Sequence, residues 1–225
     1  MSLSQVQSAP LNSTVNVAIG PALLPHVQNQ LPQIIAHHPT VDVEFFRMPS
    51  IDQALIDMDN GEIDVALYTS PTLPPKRVDH SLIRTVKLGL FAPAGTTLDM
   101  VVGENASFPV VLPFEHAWMT AFIAQKMKQR GIGASNVVGR TQYPDILVRL
   151  MVDRGAITAI SSDLLQPYVE DGTLTCLIPD LGTLYRLAVY SNRPFSPAQR
   201  MFLDTLIDIV GRIGEPPEEA LAGRP

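Results

Sequence analysis

Short apolar runs alternate with longer amphipathic stretches over residues 14–70. Three β-rich runs predict strands at Val15–Ile19, Val41–Phe46 and Ile63–Tyr68. The first interval repeats apolar residues at spacings of three and four, which predicts a helix from about Leu23 to His37. The second interval predicts a helix at Gln53–Met58, and the resulting β-α-β-α-β order indicates a parallel sheet. In such sheets a small molecule binds at the carboxyl ends of the strands.

The pattern within each run also indicates its place in the sheet. Asp42 and Glu44 alternate with apolar residues in the second strand, so we expect it to have one solvent-exposed face and to lie near an edge of the sheet. The third strand is almost wholly apolar and is expected to be central. Pro32 stands inside the first helix, which we expect it to kink or loosen.

A second α/β unit follows, and the chain then returns to the first. We therefore predict an α/β fold of two Rossmann-like lobes, joined by two hinge-crossing strands and separated by a cleft. The predicted division is a leader or expression start at residues 1–13, lobe I at 14–90 and 190–213, lobe II at 91–189, and a flexible tail at 214–225. The later predicted strands are Leu82–Ala92, Pro109–Leu112, Val137–Val138, Ala156–Ser161, Leu174–Ile178 and Tyr185–Ser191. The later predicted helices run from about His116 to Arg130, from Tyr143 to Asp153, from Ser162 to Tyr168, and onward from Ser196, which caps the last one ahead of Pro197.

Charge and composition narrow the classes of function. The net charge is −6, and the 16 basic residues are scattered, so no surface resembles a nucleic-acid footprint. No apolar run approaches the ~18 residues that a membrane span requires, and the polar start MSLSQVQSAPLNST does not resemble a signal peptide. The single cysteine, Cys176, agrees with a reducing compartment. We therefore expect a cytoplasmic protein with no membrane partner.

Four features in the first 70 residues carry a family resemblance. They are the strand ending in Gly20, the Leu24-Pro25 helix start, the Pro39-x-Val turn and the phrase NGEIDVAL. Together they resemble the opening of the effector-binding domain of LysR-type transcriptional regulators. Residues 154–160, RGAITAI, are similar to that family's G-x-G-I-A-x-L-P segment. The resemblance extends over about residues 14–212.

The resemblance implies a type 2 periplasmic-binding-protein-like fold and a small polar or anionic effector in the cleft between the lobes. It implies that this chain is the sensing part of a longer regulator, whose winged helix-turn-helix domain contacts DNA. It also implies a homodimer or homotetramer. Pro21 and Ala22 stand where the family often carries a hydroxyl residue, and Ser161 stands near a frequent Pro.

Candidate ligand-binding residues follow the predicted strands of lobe I. At the first strand end lies the loop Gly20, Pro21 and Ala22, where backbone N–H groups at the helix start could hold a polar effector, or these residues could simply form a turn. Ser50 could contact a ligand or only cap the next helix. The third strand ends in three hydroxyl residues, which either form a polar clamp or belong to a solvated loop: Tyr68, Thr69 and Ser70.

Lobe II is expected to supply the opposing surface. Phe114 could stack on a ligand ring and His116 could donate a hydrogen bond, although a hydrophobic staple explains the same residues. Ser161 and Ser162 could contact the ligand or cap a short helix. A nucleophilic serine is the least favoured alternative there, because no G-x-S-x-G elbow surrounds these serines.

No metal, cofactor or catalytic residue is predicted. The adjacent pair His37-His38 points in directions about 100° apart on a helix, which disfavours a shared ion. No phosphate loop, dinucleotide fingerprint or paired-carboxylate motif is present in the sequence. The favoured function is a ligand-sensing regulatory domain. The alternatives are a solute-binding protein of the same fold and, less favoured, an enzyme.

Overall fold

The structure is a computed structural model, and its elements alternate between strands and helices along the chain. Residues 14–48, 50–103, 108–112, 118–134, 136–141 and 143–214 are described, except for the Trp118 side chain. The elements are β1 (Val15–Ile19), α1 (Leu24–Gln28), α2 (Leu31–His37), β2 (Val43–Arg47), α3 (Ile51–Asp59), β3 (Val65–Ser70), β4 (His80–Pro93), α4 (Leu98–Val101), β5 (Val110–Leu112), α5 (Trp118–Gln129), β6 (Val137–Arg140), α6 (Pro144–Arg154), β7 (Thr158–Ser161), α7 (Ser162–Glu170), β8 (Leu174–Tyr190) and α8 (Pro197–Gly211).

The main sheet has six strands in the order β2-β1-β3-β8-β4-β7. β1 lies parallel to both β2 and β3, whereas β8 runs antiparallel to β3 and β4. The edge position of β2 and the internal position of β3 are confirmed. β5 and β6 form a separate parallel pair, which approaches β7 through a bridge between Val110 and Ile157. The chain therefore has the α/β fold that the sequence predicted.

The first predicted helix is two helices rather than one. α1 ends at Gln28 and α2 begins at Leu31, so Pro32 falls in the first turn of α2. A proline is tolerated there because the first helical N–H groups have no intrahelical acceptor. The expected kink is therefore realised as a break before the proline. α1 likewise carries Pro25 in its first turn.

The last two predicted strands are one strand of 17 residues, β8. Pro179, Asp180 and Gly182 have the composition of a turn, but β4 pairs with β8 on both sides of them. The pairing shifts register between Leu88 and Leu90, and this shift accommodates the turn-like residues of β8. The short helix α4 was not predicted, because four residues are too few for a periodic signal.

The apolar core falls into four clusters, two at each end of the molecule. On the two faces of β1 and β3, one cluster includes residues of α1, α2 and α8, and the other includes residues of α3. The remaining two clusters surround β5 and β7 and include residues of α5, α6 and α7. Among the strands and helices that the structure describes, only β4 and β8 extend through both ends. The lobe limits drawn from the sequence stay a prediction.

Helix α7 lies where the two ends meet. Leu164 packs with the α8-side cluster, while Leu165 packs with the cluster around α6. The loop after α8 also presses on α7, since a Cβ at Gly214 would lie 2.3 Å from the Asp163 Cβ. We call this meeting place of β1, β3, β8, α7 and α8 the junction. In the described part of the chain, no helix is long and apolar enough to cross a membrane.

Candidate ligand-binding site

The end of β1 is pressed closely against β3. Gly20 donates its N–H to the Leu67 carbonyl at 2.8 Å, and a Cβ at Gly20 would lie 3.3 Å from that oxygen. Glycine therefore permits the close approach of the two strand ends. The Gly20 carbonyl accepts from Leu23 N at 2.9 Å, which forms the turn into α1. Pro21 is buried beside it and Ala22 is half-buried.

The three hydroxyl residues at the end of β3 do not point to one place. Tyr68 packs in the α3-side cluster, and burial raises its pKa to about 12. The Ser70 hydroxyl donates to the Thr72 carbonyl and accepts from Thr72 N at 3.1 Å, so it serves its own turn. Thr69 alternates with Tyr68 and lies on the opposite face, which carries α1 and α8. The structure therefore separates this predicted trio.

Ser50 performs the capping role that the sequence suggested. Its Oγ accepts a hydrogen bond from Gln53 N at 3.1 Å at the start of α3. This satisfies one of the unpaired N–H groups of the first helical turn. A contact between Ser50 and a ligand stays a prediction.

On the opposite side of the junction, the two serines before α7 differ. Ser161 Oγ donates to Asp163 Oδ1 at 2.5 Å, so its hydroxyl is engaged. Ser162 Oγ is buried and has no partner among the described residues. A Cβ at Gly89 would lie 2.6 Å from Ser162 Oγ, so the glycine of β4 provides the space for this side chain.

A residue that sequence reasoning missed lies between these groups. Arg186 is fully buried and donates through Nη1 to the Val210 carbonyl at 3.0 Å and through Nη2 to Asp163 Oδ2 at 2.7 Å. Burial lowers the pKa of Arg186, and the Asp163 charge opposes that shift. The sequence did contain a signal, because Arg186 is a single charge within the apolar run LYRLAVY.

The end of α8 receives a second arginine. Arg84 Nη1 donates to the Gly211 carbonyl at 3.0 Å, one residue after the Val210 carbonyl that Arg186 contacts. The last carbonyls of a helix have no intrahelical partner and carry partial negative charge. Two guanidinium groups therefore satisfy the end of α8 and fix it against the junction.

Helix α1 contributes a histidine that faces the same charges. Burial lowers the pKa of His26 below 6.5, and the Arg186 charge lowers it further. The carboxylates of Asp163 and Asp145 act in the opposite direction. Burial and the Arg186 charge therefore favour the neutral form of the His26 imidazole.

Unpaired buried polar atoms concentrate at the junction. Each such group costs about 1–3 kcal/mol when it has no partner, so native proteins contain few of them. Among the described residues, four of the five lie on α1, β3, α7 or β8, and the fifth, Asn16, lies near the start of β1. The five are Asn16 Oδ1, His26 Nε2, Thr69 Oγ1, Ser162 Oγ and Arg186 Nε.

One contact joins the edge strand β2 to helix α6. The Arg47 guanidinium carbon lies 5.7 Å from the centroid of the Tyr143 ring, a cation–π geometry. Tyr143 is the N-cap residue of α6, and Asp145 in the next turn accepts a hydrogen bond from the Tyr168 hydroxyl at 2.8 Å. Burial, followed by that bond to Asp145, raises the pKa of Tyr168 to about 12.

The remaining sequence candidates lie elsewhere or outside the description. Phe114 and His116 lie outside the described residues. His37 and His38 bond to the Gln33 carbonyl at 2.7 Å and to Thr205 Oγ1 at 3.1 Å, respectively. Across the described ranges, no cluster of three or more His, Cys, Asp or Glu side chains could hold a metal ion.

A cavity of about 430 Å³ opens between α8 and the loop after β8. Its lining includes Tyr190, Arg193 and Arg200, and it contains none of the eleven predicted binding residues. Arg193 also donates to the buried carboxylate of Asp64 at 3.2 Å. This cavity is therefore separate from the candidate site at the junction.

The chain matches one known protein family over most of its length. The chain matches the family model of the LysR substrate binding domain over residues 8–210. None of the curated proteins compared with the chain matches it.

Solved structures resemble the chain along most of its length. It is similar to the bromide ion-bound regulatory domain of HypT from Salmonella typhimurium, with 16% identity, a TM-score of 0.70, and coverage of 91% of this chain and 98% of that one. The C-terminal domain of a probable LysR family transcriptional regulator from Rhodococcus sp. RHA1 has 20% identity, a TM-score of 0.64, and coverage of 86% and 98%. The reduced regulatory domain of OxyR2 from Vibrio vulnificus has 15% identity, a TM-score of 0.63, and coverage of 90% and 96%. These likenesses show a type 2 periplasmic-binding-protein-like fold.

Proposed function

The chain belongs to the LysR substrate binding domain family of transcriptional regulators, and we propose that it senses a small polar or anionic effector between two lobes. The observation that carries the proposal is the concentration of unpaired buried polar atoms where the two ends of the molecule meet. A ligand with hydrogen-bonding groups would satisfy atoms that have no partners among the described residues.

The strands β4 and β8 are the hinge in this proposal. They pair along most of their length and extend through both ends of the molecule. An effector shifts the balance between two lobe angles only by its differential affinity for them. The altered angle would then reposition a DNA-binding segment that another part of the regulator supplies.

The residues assigned to the effector come from both sides of the junction. On the lobe I side these are the loop Gly20, Pro21 and Ala22 and the hydroxyls of Ser50 and Thr69. The predicted hydroxyls of Tyr68 and Ser70 would join them only by leaving their present packing and turn. Ser161 and Ser162 belong to the lobe II side, where Phe114 and His116 are added from the sequence. We further propose that the regulator assembles as a homodimer or homotetramer, acts in the cytoplasm and has no catalytic role.

Thermal unfolding with a panel of small carboxylates, aromatic acids and sugar acids tests the proposal. At 100 times its dissociation constant, a ligand of the folded state adds about 2.7 kcal/mol to the free energy of unfolding. Ser162→Ala should reduce that gain, because it removes a buried hydroxyl that has no partner within the described residues.

Ser81→Ala is the matched control for this experiment. Its hydroxyl pairs with the Tyr190 hydroxyl at 2.8 Å and lies outside the candidate site, so the gain from the ligand should persist. The proposal fails if no compound in the panel raises the unfolding temperature. It also fails if the gain is equal in both serine variants and the wild type.

A further inference from the structure

Three of the unpaired buried atoms belong to neighbouring elements on one face of the sheet. They are His26 Nε2 on α1, Thr69 Oγ1 on β3 and Arg186 Nε on β8. Thr69 lies directly opposite Arg186 in the antiparallel ladder, so both side chains share the face that α1 and α8 cover. The Arg186 charge also acts on His26. Arg186 and Thr69 are neighbours and His26 feels the charge of the same arginine, so we consider the three as one group, whose atoms have no partners among the described residues.

The arginine in this group is fixed before any ligand arrives. The Val210 carbonyl and the Asp163 carboxylate occupy its two terminal nitrogens, and its side chain is fully buried. Its Nε–H can only donate, so it requires an acceptor. The Thr69 hydroxyl can donate in addition, and neutral His26 can present Nε2 as a donor. The group is thus suited to a ligand with two acceptor oxygens.

The charges around the group limit the ligand to one negative charge. Arg84 and Arg186 contribute two positive charges that act on one another, and Asp145 and Asp163 contribute two negative charges that act on His26. These four charges cancel. Neutral His26 can take up one proton, so the group can balance a monoanion more readily than a dianion such as phosphate.

We propose that this group binds the carboxylate of a small monoanionic organic acid, whose oxygens accept hydrogen bonds from Arg186 Nε, Thr69 Oγ1 and His26 Nε2. The inference rests on the proposed function, because it assigns the chemical class of the effector and the residues that hold it. Protein atoms cover all three groups in this structure. The acid therefore enters when α1 moves away from β3 and β8.

Binding of the acid should depend on pH through His26. A carboxylate beside the imidazole favours the protonated ring, so binding is accompanied by proton uptake. The affinity should therefore rise as the pH falls from 8 to 6, a range in which the acid stays ionised. The charged groups that act on His26 are Arg186, Asp163 and Asp145. His26→Gln, which retains hydrogen bonding without the titration, should remove the dependence.

Calorimetry and imidazole NMR with acetate, pyruvate and benzoate test the inference, with acetamide and benzamide as uncharged counterparts. We expect the acids to shift the His26 ring signals and the amides to leave them unchanged. Thr69→Val should weaken binding of the acid at least tenfold. Thr85→Val, which changes an exposed threonine of β4 in the same sheet, should bind the acid like the wild type.

Two results would overturn the inference. In the first, the amides shift the His26 ring signals as strongly as the acids do. In the second, Thr69→Val leaves the affinity for the acid unchanged. If uncharged compounds stabilise the domain while no acid shifts His26, the carboxylate assignment fails and the proposed function stands. If no compound of either kind stabilises the domain, the proposed function itself fails.

Discussion

At the scale of single residues, the junction depends on one buried ion pair. The Arg186 side chain is fully buried and the Asp163 side chain is 13% exposed, and their charges meet at 2.7 Å. A buried pair is costly to desolvate, but removal of one partner is costlier because it leaves an uncompensated charge. The partners of this pair also include the end of α8 and the Ser161 hydroxyl, so several elements depend on it.

We expect Asp163→Asn to lower the free energy of unfolding by about 3–5 kcal/mol, since Arg186 would keep its charge without a counter-ion. The double variant Asp163→Asn/Arg186→Met should be more stable than the single variant, because both charges are gone. Urea unfolding measures both. Asp180→Asn, which breaks an exposed pair with Lys87, serves as the control and should leave the urea midpoint in place. A single variant as stable as the wild type would contradict this account.

At the scale of elements, α8 is held at both ends by different chemistry. At its start, Ser196 and Gln199 form a capping box, with Gln199 N donating to Ser196 Oγ at 3.3 Å and Ser196 N donating to Gln199 Oε1 at 2.8 Å. At its end, the guanidinium groups of Arg84 and Arg186 accommodate the last carbonyls. The cap was predictable from the sequence, whereas the arginines come from distant strands.

Ser196→Ala should cost about 1 kcal/mol of stability, because it leaves a first-turn N–H of α8 without its acceptor. Ser196→Asp should lose less stability, since an aspartate can accept the same hydrogen bond and its negative charge is favourable at the N-terminal end of a helix. Denaturant midpoints of the two variants and the wild type measure the difference. Equal midpoints for Ala and Asp would show that the cap does not stabilise α8.

At the scale of the whole molecule, the paired strands β4 and β8, the packing of α7 and a side-chain contact between β2 and α6 link the ends of the protein. β4 and β8 carry the chain from one pair of apolar clusters to the other. Away from these strands, the cation–π contact of Arg47 and Tyr143 joins β2 to α6. That contact can break without any loss of sheet hydrogen bonds, so it is the adjustable part of the connection.

Arg47→Ala should shift the balance toward a more open arrangement by about two- to five-fold, the equivalent of about 0.5–1 kcal/mol for an exposed cation–π contact. Labels at Asp59 and Arg149, in a Cys176→Ser background, would report the distance between α3 and α6 by single-molecule fluorescence. Arg47→Lys retains the positive charge, so its distance distribution should lie between those of the wild type and Arg47→Ala. Identical distance distributions in all three proteins would exclude a role for this contact.

The sequence by itself determined the features that depend on near neighbours. Alternation of polar and apolar residues predicted the edge position of β2, and a nearly continuous apolar run predicted the internal position of β3, because the side chains of a strand reflect its burial. Capping residues likewise predicted the start of α8 after Ser196 and a helix after Ser50, although α3 begins at Ile51 rather than at the predicted Gln53, since a cap contacts only the next turn. The motifs of residues 14–70 that resemble the LysR family are likewise short patterns of neighbouring residues.

Only the tertiary structure decided what requires a distant partner. The turn-like residues near Asp180 stay in strand conformation because β4 pairs beside them. Of the predicted hydroxyls, those of Ser70 and Ser161 bond to nearby groups, while those of Thr69 and Ser162 have no partner among the described residues. Arg186 joins the site because its partners lie 23 and 24 residues away in the chain. Burial, charge balance and unmet hydrogen bonds are properties of such distant contacts, so no local pattern encodes them.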